Sequence, residues 1–382
     1  MDTDEKLWRR LSSASKDAES NEWLLKQQQK ARRQKIIIAT IGLAILGAIV
    51  AVIVLHYLHP NSPIYPTGSG SNGGNSTDNG NSPSSGNPSK SNNNTIIPDK
   101  SLIHSFYGIG YTPLNTQFPS CGATLANITE DIKILSQLTS RIRLYGQDCQ
   151  QADMVLQAIR NLKVNMSVIL TIWVDSNMTT YKRQYDSFFN TLKTYGADGN
   201  IDSVSVGNEV LFRKEISSSD LFARMADVRS KVKAMGFKDI KVSTSDLGSN
   251  YDSSMIKASD TLLANIHPFF AGVPAEQGSN WTFKYFNDNI VVPGMGKPAI
   301  ISEVGWPTQN GTLNASIASV PNLQTFMDDF VCEANRRKVP YYFFEAYDEP
   351  WKIITGSEME CHWGLMTVNR ELKVKIPNCP ID

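Results

Sequence analysis

The chain has 382 residues, room for one large α/β domain plus accessory segments. Its 37 basic and 37 acidic side chains cancel, which excludes the concentrated positive field of a duplex-binding protein, so no nucleic-acid partner is expected. An apolar share of 41% supports a real core, and the charged share of 19% is low because two segments near the N-terminus carry almost no charge.

Residues 1–35 are polar and charged, with Trp8 and Trp23 as the large aromatics, and are expected to form a short cytosolic tail. Residues 36–55 (IIIATIGLAILGAIVAVIVL) carry no charge. As a helix they would be about 30 Å long, the thickness of a bilayer core. Lys30, Arg32, Arg33 and Lys35 precede this stretch, whereas His56 to Pro66 contain no Lys or Arg. The positive-inside rule then puts the N-terminus in the cytosol and everything after Leu55 outside, a single-pass type II anchor in the plasma membrane. Sequons at Asn75, Asn93, Asn127, Asn165, Asn177, Asn280, Asn310 and Asn314 all follow the expected span, as secretion requires; Asn165, at the start of an apolar run, is expected to be buried. Residues 56–100 are rich in Ser, Asn, Gly and Pro and read as a disordered tether. Its reach is some 30–40 Å.

From 101 to 382 short apolar runs alternate with helical patterns. Strands are expected at 104–111, 141–146, 166–173, 201–209, 241–245, 261–268, 298–304 and 341–347, and helices at 124–137, 152–162, 181–195, 219–235 and 322–336. Eight strands separated by helices suit a (β/α)8 TIM barrel. A doubly wound open sheet is the alternative, weakened because no G-x-G-x-x-G follows the first strand. Cys121, Cys149, Cys332, Cys361 and Cys379 all lie beyond the expected span and lack C-x-x-C spacing, which favours disulfides over a zinc site. Cys121–Cys149 is the preferred bridge, because both follow short successive strands; Cys332–Cys379 is the second.

In such a barrel the chemistry sits at the C-terminal strand ends. Glu209 ends the fourth strand (SVSVGNEVLF) and Glu303 the seventh (AIISEVGWP). A carboxylate closing an apolar run is costly unless it works or is paired. Two of them on strands that face each other across the mouth match the pair that glycosidic cleavage needs, about 5 Å apart for retention.

The stretches FYGIGYTP, SQLTSRIRLYGQDC, VGNEVLFRK, STSDLG, NIHPFFAGV, ISEVGWPT, FFEAYDEPWK and HWGLM occur in this order between residues 106 and 366. In residues and spacing this region resembles glycoside hydrolase family 17, the β-1,3-glucanases and β-1,3-glucanosyltransferases, and is closest to the fungal branch. With its N-terminal anchor and tether, the whole chain is similar to fungal type II membrane-anchored glucan endo-1,3-β-glucosidases. The resemblance implies Glu209 as acid/base, Glu303 as nucleophile, Asn208 as hydrogen-bond partner of the sugar 2-OH, and Glu349 and Lys352 as a charged pair tuning them; for that pair an ordinary salt bridge is the competing reading. It implies cell-wall β-1,3-glucan as substrate.

The nucleophile needs hydrogen-bond donors, and Tyr107 and Arg143 are candidates, each with a structural reading beside the functional one. Trp173, Phe269, Phe270, Trp306, Tyr347 and Trp351 could stack on glucose or pack the core, with Trp306 and Tyr107 favoured for stacking. His267 could bond a sugar hydroxyl or serve the structure. No His pair has metal-ligand spacing, so neither metal nor cofactor is expected. Hydrolysis is the leading reading, with transglycosylation to a sugar acceptor next and a non-catalytic glucan-binding tether last. The oligomeric state is not readable.

Overall fold

The computed structural model describes residues 94–379 and 381. The expected cytosolic tail, the span at 36–55, residues 56–93 of the tether and the sequons at Asn75 and Asn93 lie outside the described residues. Among the described residues no helix is long and apolar enough to cross a membrane.

Eight parallel strands close into a barrel. They are β1 (Ile109–Gly110), β2 (Arg141–Arg143), β3 (Ser167–Ile172), β4 (Ile201–Asn208), β5 (Lys241–Leu247), β6 (Leu262–Asn265), β7 (Ala299–Val304) and, eighth in the barrel, β10 (Tyr341–Phe343). β1 pairs with both β2 and β10, which closes the ring and removes every edge. Helices cover the outside: α1 (Leu125–Leu138), α2 (Gln151–Leu162), α3 (Met178–Tyr195), α4 (Ser218–Ala234), α5 (Ser253–Ala258), α6 (Ala275–Phe286) and α7 (Val320–Arg337). With both faces covered, the strands become apolar runs rather than alternating ones, as Val168–Ile172 is buried throughout. The open-sheet alternative is thereby excluded.

Side-chain caps set the helix starts. Thr124, Asn177, Ser217, Asp252 and Ser319 each accept from a backbone N–H of the first turn. Every expected strand and helix is present, and α5 and α6 are additional. Six of the eight expected strands overran their C-terminal ends, because the strand-end loops carry the same apolar and aromatic residues as the wall; the strand expected at 298–304 ends where β7 does, and the one at 241–245 stops two residues short of β5. A two-stranded hairpin, β8 (Thr312–Leu313) with β9 (Ser316–Ile317), rises from the loop after β7.

Both expected disulfides form, Cys121–Cys149 and Cys332–Cys379, with Cα separations of 5.0 and 5.1 Å, and Cys361 is free and buried. The first staples the loops after β1 and β2. The second ties the C-terminal tail to α7, where Ser105 Oγ donates to Pro377 O at 2.6 Å and Asn335 Nδ2 to Cys379 O at 2.7 Å. Of the described sequons, Asn127, Asn165, Asn177, Asn280, Asn310 and Asn314 are all exposed. Asn165 therefore departs from its expected burial: it lies in the turn before β3, one residue short of the buried run.

Candidate active site

β4 delivers the first carboxylate through a bend. Gly207 has φ +86°, and a Cβ there would meet Val210 Cγ2 at 2.2 Å, so the chain needs glycine to turn Asn208 and Glu209 into the mouth. Glu209 itself has φ 54°, a left-handed conformation that is costly for a side chain of this kind and is held here by its N–H donating to Ser245 O at 2.7 Å. β7 delivers Glu303, which is 4% exposed.

Arg143, at the end of β2, is wholly buried and ties the floor together. Its guanidinium donates to Glu303 Oε1 at 2.9 Å, Ser302 O at 2.8 Å and Asn208 Oδ1 at 2.7 Å. His267 Nε2 lies 3.2 Å from Glu303 Oε2. Two donor groups thus clamp the two oxygens of one carboxylate. Asn265 Nδ2 donates to Glu209 Oε1 at 2.9 Å and to Asn208 Oδ1 at 3.1 Å. Asn208 Oδ1 therefore takes two donors.

The two carboxylates are pushed in opposite directions. Burial, then the negative charge of Glu303, raises Glu209 to about 7 against the pull of the Asn265 bond. Burial also works to raise Glu303, but the His267 hydrogen bond and the Arg143 charge outweigh it and the net direction is down. One group holds its proton near neutrality while its neighbour stays ionised, the division of labour that acid-plus-nucleophile chemistry uses.

Behind them lies a buried ion cluster. Lys352 Nζ is 2.6 Å from Glu349 and 3.0 Å from Glu345, and stands 4.5 Å from the centre of the Phe344 ring. Burial opposes its charge, but Glu345 and Glu349 overcome that and raise its pKa. Glu345 is itself raised well above the carboxylate range by burial and by Glu349. Lys352 in turn helps to hold Glu303 ionised. Tyr145 caps Arg143, with the guanidinium 4.7 Å from its ring centre, Phe344 packs edge-on against Tyr145, and His267 and Trp363 pack edge-on against Phe344 and each other.

The mouth therefore gathers Arg143, Asn208, Glu209, His267, Glu303, Glu349 and Lys352 as expected. Trp173 stands half-buried at its edge with one face under the Arg213 guanidinium at 4.3 Å. Four expectations need correction. Trp306 is 0% exposed, its Nε1 donating to Ile317 O, because the β8–β9 hairpin folds over it and makes it core. Phe269 is 1% exposed and packs edge-on against Trp306. Tyr347 is 2% exposed, packed on Tyr111 beside the Asp131–Arg370 pair that fastens the C-terminal segment to α1. Tyr107 precedes β1, so it sits at the opposite end of the barrel, with the Arg141 guanidinium 4.3 Å from its ring centre. Asn265, Glu345 and Tyr145 went unread. Asn265 and Glu345 carry the same signal that marked Glu209 and Glu303, a polar group closing an apolar run, whereas Tyr145 follows Arg141-Ile142-Arg143-Leu144 and carries none. Among the described residues no cluster of His, Cys, Asp and Glu could hold a metal ion.

The BtgE/BtgC glycoside hydrolase domain matches residues 108–364. The glucan endo-1,3-beta-glucosidase btgC of Emericella nidulans is 37% identical over 300 residues, covering 72% of this chain and 46% of the relative. The probable glucan endo-1,3-beta-glucosidase btgC of Aspergillus fumigatus is 39% identical over 310 residues, covering 74% and 45%. The chain thus spans about 45% of the length of such relatives. Among solved structures, the glycoside hydrolase family 17 beta-1,3-glucanosyltransferase of Rhizomucor miehei is 29% identical with a TM-score of 0.63, covering 72% of this chain and 99% of that one. An endo-laminarinase from Formosa, 19% identical at TM-score 0.58, shares the fold. Motif order, barrel topology and the matched domain agree: the chain belongs to the BtgE/BtgC glycoside hydrolases, within the family 17 resemblance read from its motifs.

Proposed function

We propose that this chain is a retaining β-1,3-glucan hydrolase that works by double displacement. The observation that carries the reading is the opposed polarisation of two carboxylates at one barrel mouth, Glu209 up to about 7 and Glu303 down. Glu209 donates its proton to the departing glycosidic oxygen while Glu303 attacks the anomeric carbon and forms a glycosyl ester. Glu209, now ionised, takes a proton from water, which displaces Glu303 and releases a product of retained configuration. Asn208 donates its amide to the sugar 2-OH, where charge builds up in the transition state. The β-1,3-glucan substrate is supported by the activity named for the btgC relatives and by the laminaritriose complex of a Rhizomucor miehei beta-1,3-glucanosyltransferase mutant.

Transglycosylation is the second reading, favoured by that same 28% identical glucanosyltransferase. Both share the first half-reaction, and the acceptor decides between them. Incubation with a single laminari-oligosaccharide tests this. Shorter products alone support hydrolysis, whereas products longer than the substrate support transfer; a silent Glu303→Ala variant alongside an active parent supports the shared mechanism. For location, the uncharged run at 36–55 behind its basic flank supports a type II anchor in the plasma membrane with the barrel facing the cell wall. Protease protection of residues 1–35, but not of the barrel, in sealed cells tests that topology.

A further inference from the structure

Asn265 closes β6 beneath the two carboxylates and is 2% exposed. Its carbonyl oxygen meets the hydroxyls of Ser245 and Ser302, both at 2.8 Å, and one Arg143 nitrogen at 3.4 Å. Its amide nitrogen meets Glu209 Oε1 and Asn208 Oδ1. These surroundings fix the amide one way round. Flipped, its oxygen would face two acceptors and its N–H2 would face the Arg143 guanidinium.

Resting on the reading of Glu209 above, we propose that Asn265 is a positioning residue, one buried amide that aims the proton donor and Asn208 together at the same bound sugar. The two N–H bonds of a single rigid group run to two consecutive side chains at a strained bend, Gly207–Glu209. They hold the acid's carboxylate and the 2-OH donor at a fixed spacing. The Ser245–Ser302 hydroxyl pair, itself at 2.8 Å, braces that amide from below, so it cannot rotate away when Glu209 loses its proton.

The same geometry gives a signature that a merely structural residue lacks. A hydrogen bond donated to a carboxylate favours its ionised form, so losing the bond strengthens the acid's hold on its proton. The titratable groups that face Glu209 are Glu303 on β7, Asp246 on β5 and His267 beyond β6. Arg143 on β2 reaches it through Asn208, and Arg213 on its own loop bonds Asn208 O. A neutral replacement of Asn265 leaves all of these groups in place and, among them, touches only the 3.4 Å contact to Arg143. The alkaline limb of kcat/KM should therefore move to higher pH while the rate falls.

The experiment compares Asn265→Ala and Asn265→Leu with the parent on laminarin and on an aryl β-laminaribioside whose phenolate leaves without proton donation. Asn265→Leu keeps the size and adds no charge beside Glu209, and melting by circular dichroism checks that both variants fold. The expected result is a loss of about 10-fold or more on laminarin, a much smaller loss on the aryl substrate, and an alkaline limb moved up by about half a unit to one unit. Equal losses on both substrates with the limb unmoved would overturn the proposal, as would failure of both variants to fold, which would assign Asn265 to the scaffold. Glu209→Gln runs alongside. If it keeps full activity on laminarin, the reading of Glu209 is wrong and this inference falls with it; if it is inactive while the Asn265 limbs stay put, only this inference falls.

Discussion

Replacing Glu209 by Gln should remove activity and, at alkaline pH, make the protein more stable. The carboxyl is raised from 4.5 to about 7 in the folded chain, chiefly by burial and secondly by Glu303. The folded state thus binds the proton more tightly than the unfolded chain does. This contribution to stability is fully present below about 4.5 and is lost as pH rises through about 7. At 1.36 kcal/mol per unit the loss is about 3 kcal/mol by pH 8. Glutamine has the same shape, accepts the same Asn265 bond and does not titrate. The two proteins should therefore melt within about 1 °C of each other at pH 4.5, where the loss has only begun. By pH 8 the variant should melt higher by roughly 6 °C, using about 2 °C per kcal/mol for a domain of this size. Scanning calorimetry at half-unit steps from pH 4.5 to 8.5 gives the difference curve. A difference in Tm that stays constant across this window would refute the argument, because it would mean that Glu209 does not carry its proton into the neutral range.

The activity of the parent should follow a bell in pH, with the alkaline limb near 7 from Glu209 and the acid limb below the usual carboxylate range from Glu303; initial rates on laminarin from pH 3 to 9 check both. Lys352→Met should strand Glu345 and Glu349 in the interior and cost about 3–5 kcal/mol, read as a lower denaturant midpoint. Opening Cys121–Cys149, which closes a loop of sequence separation 28, should cost about 3–4 kcal/mol, checked by melting Cys121→Ser/Cys149→Ser.

Glu209 and Glu303 were legible because an acid closing an apolar run is hard to explain except by use, whereas Asn208, Glu349 and Lys352 came from the family resemblance and Arg143 and His267 from their places on strands. The same test applied to Asn265 and Glu345 would have found them, but each lay inside a stretch taken whole as strand. The aromatics were harder. Trp306 and Phe269 follow strand ends, as a stacking residue would, yet the β8–β9 hairpin covers Trp306, and a cover of four strand residues leaves no periodic trace in the chain. Tyr107 was misplaced by register alone. Its strand pairs only through Ile109 and Gly110, so a tyrosine two residues earlier falls at the other end of the barrel.

In the proposed double displacement Glu303 bonds covalently to the sugar. A 2-deoxy-2-fluoro-β-laminaribiosyl fluoride traps that bond. Fluorine at C2 slows both displacements, while the fluoride leaving group restores the first, so the glycosyl ester accumulates. After peptic digestion and mass spectrometry, the expected result is a single adduct on the peptide bearing Glu303, together with β-configured products from the natural substrate. An adduct on Glu209, or no adduct together with α-configured products, would contradict it.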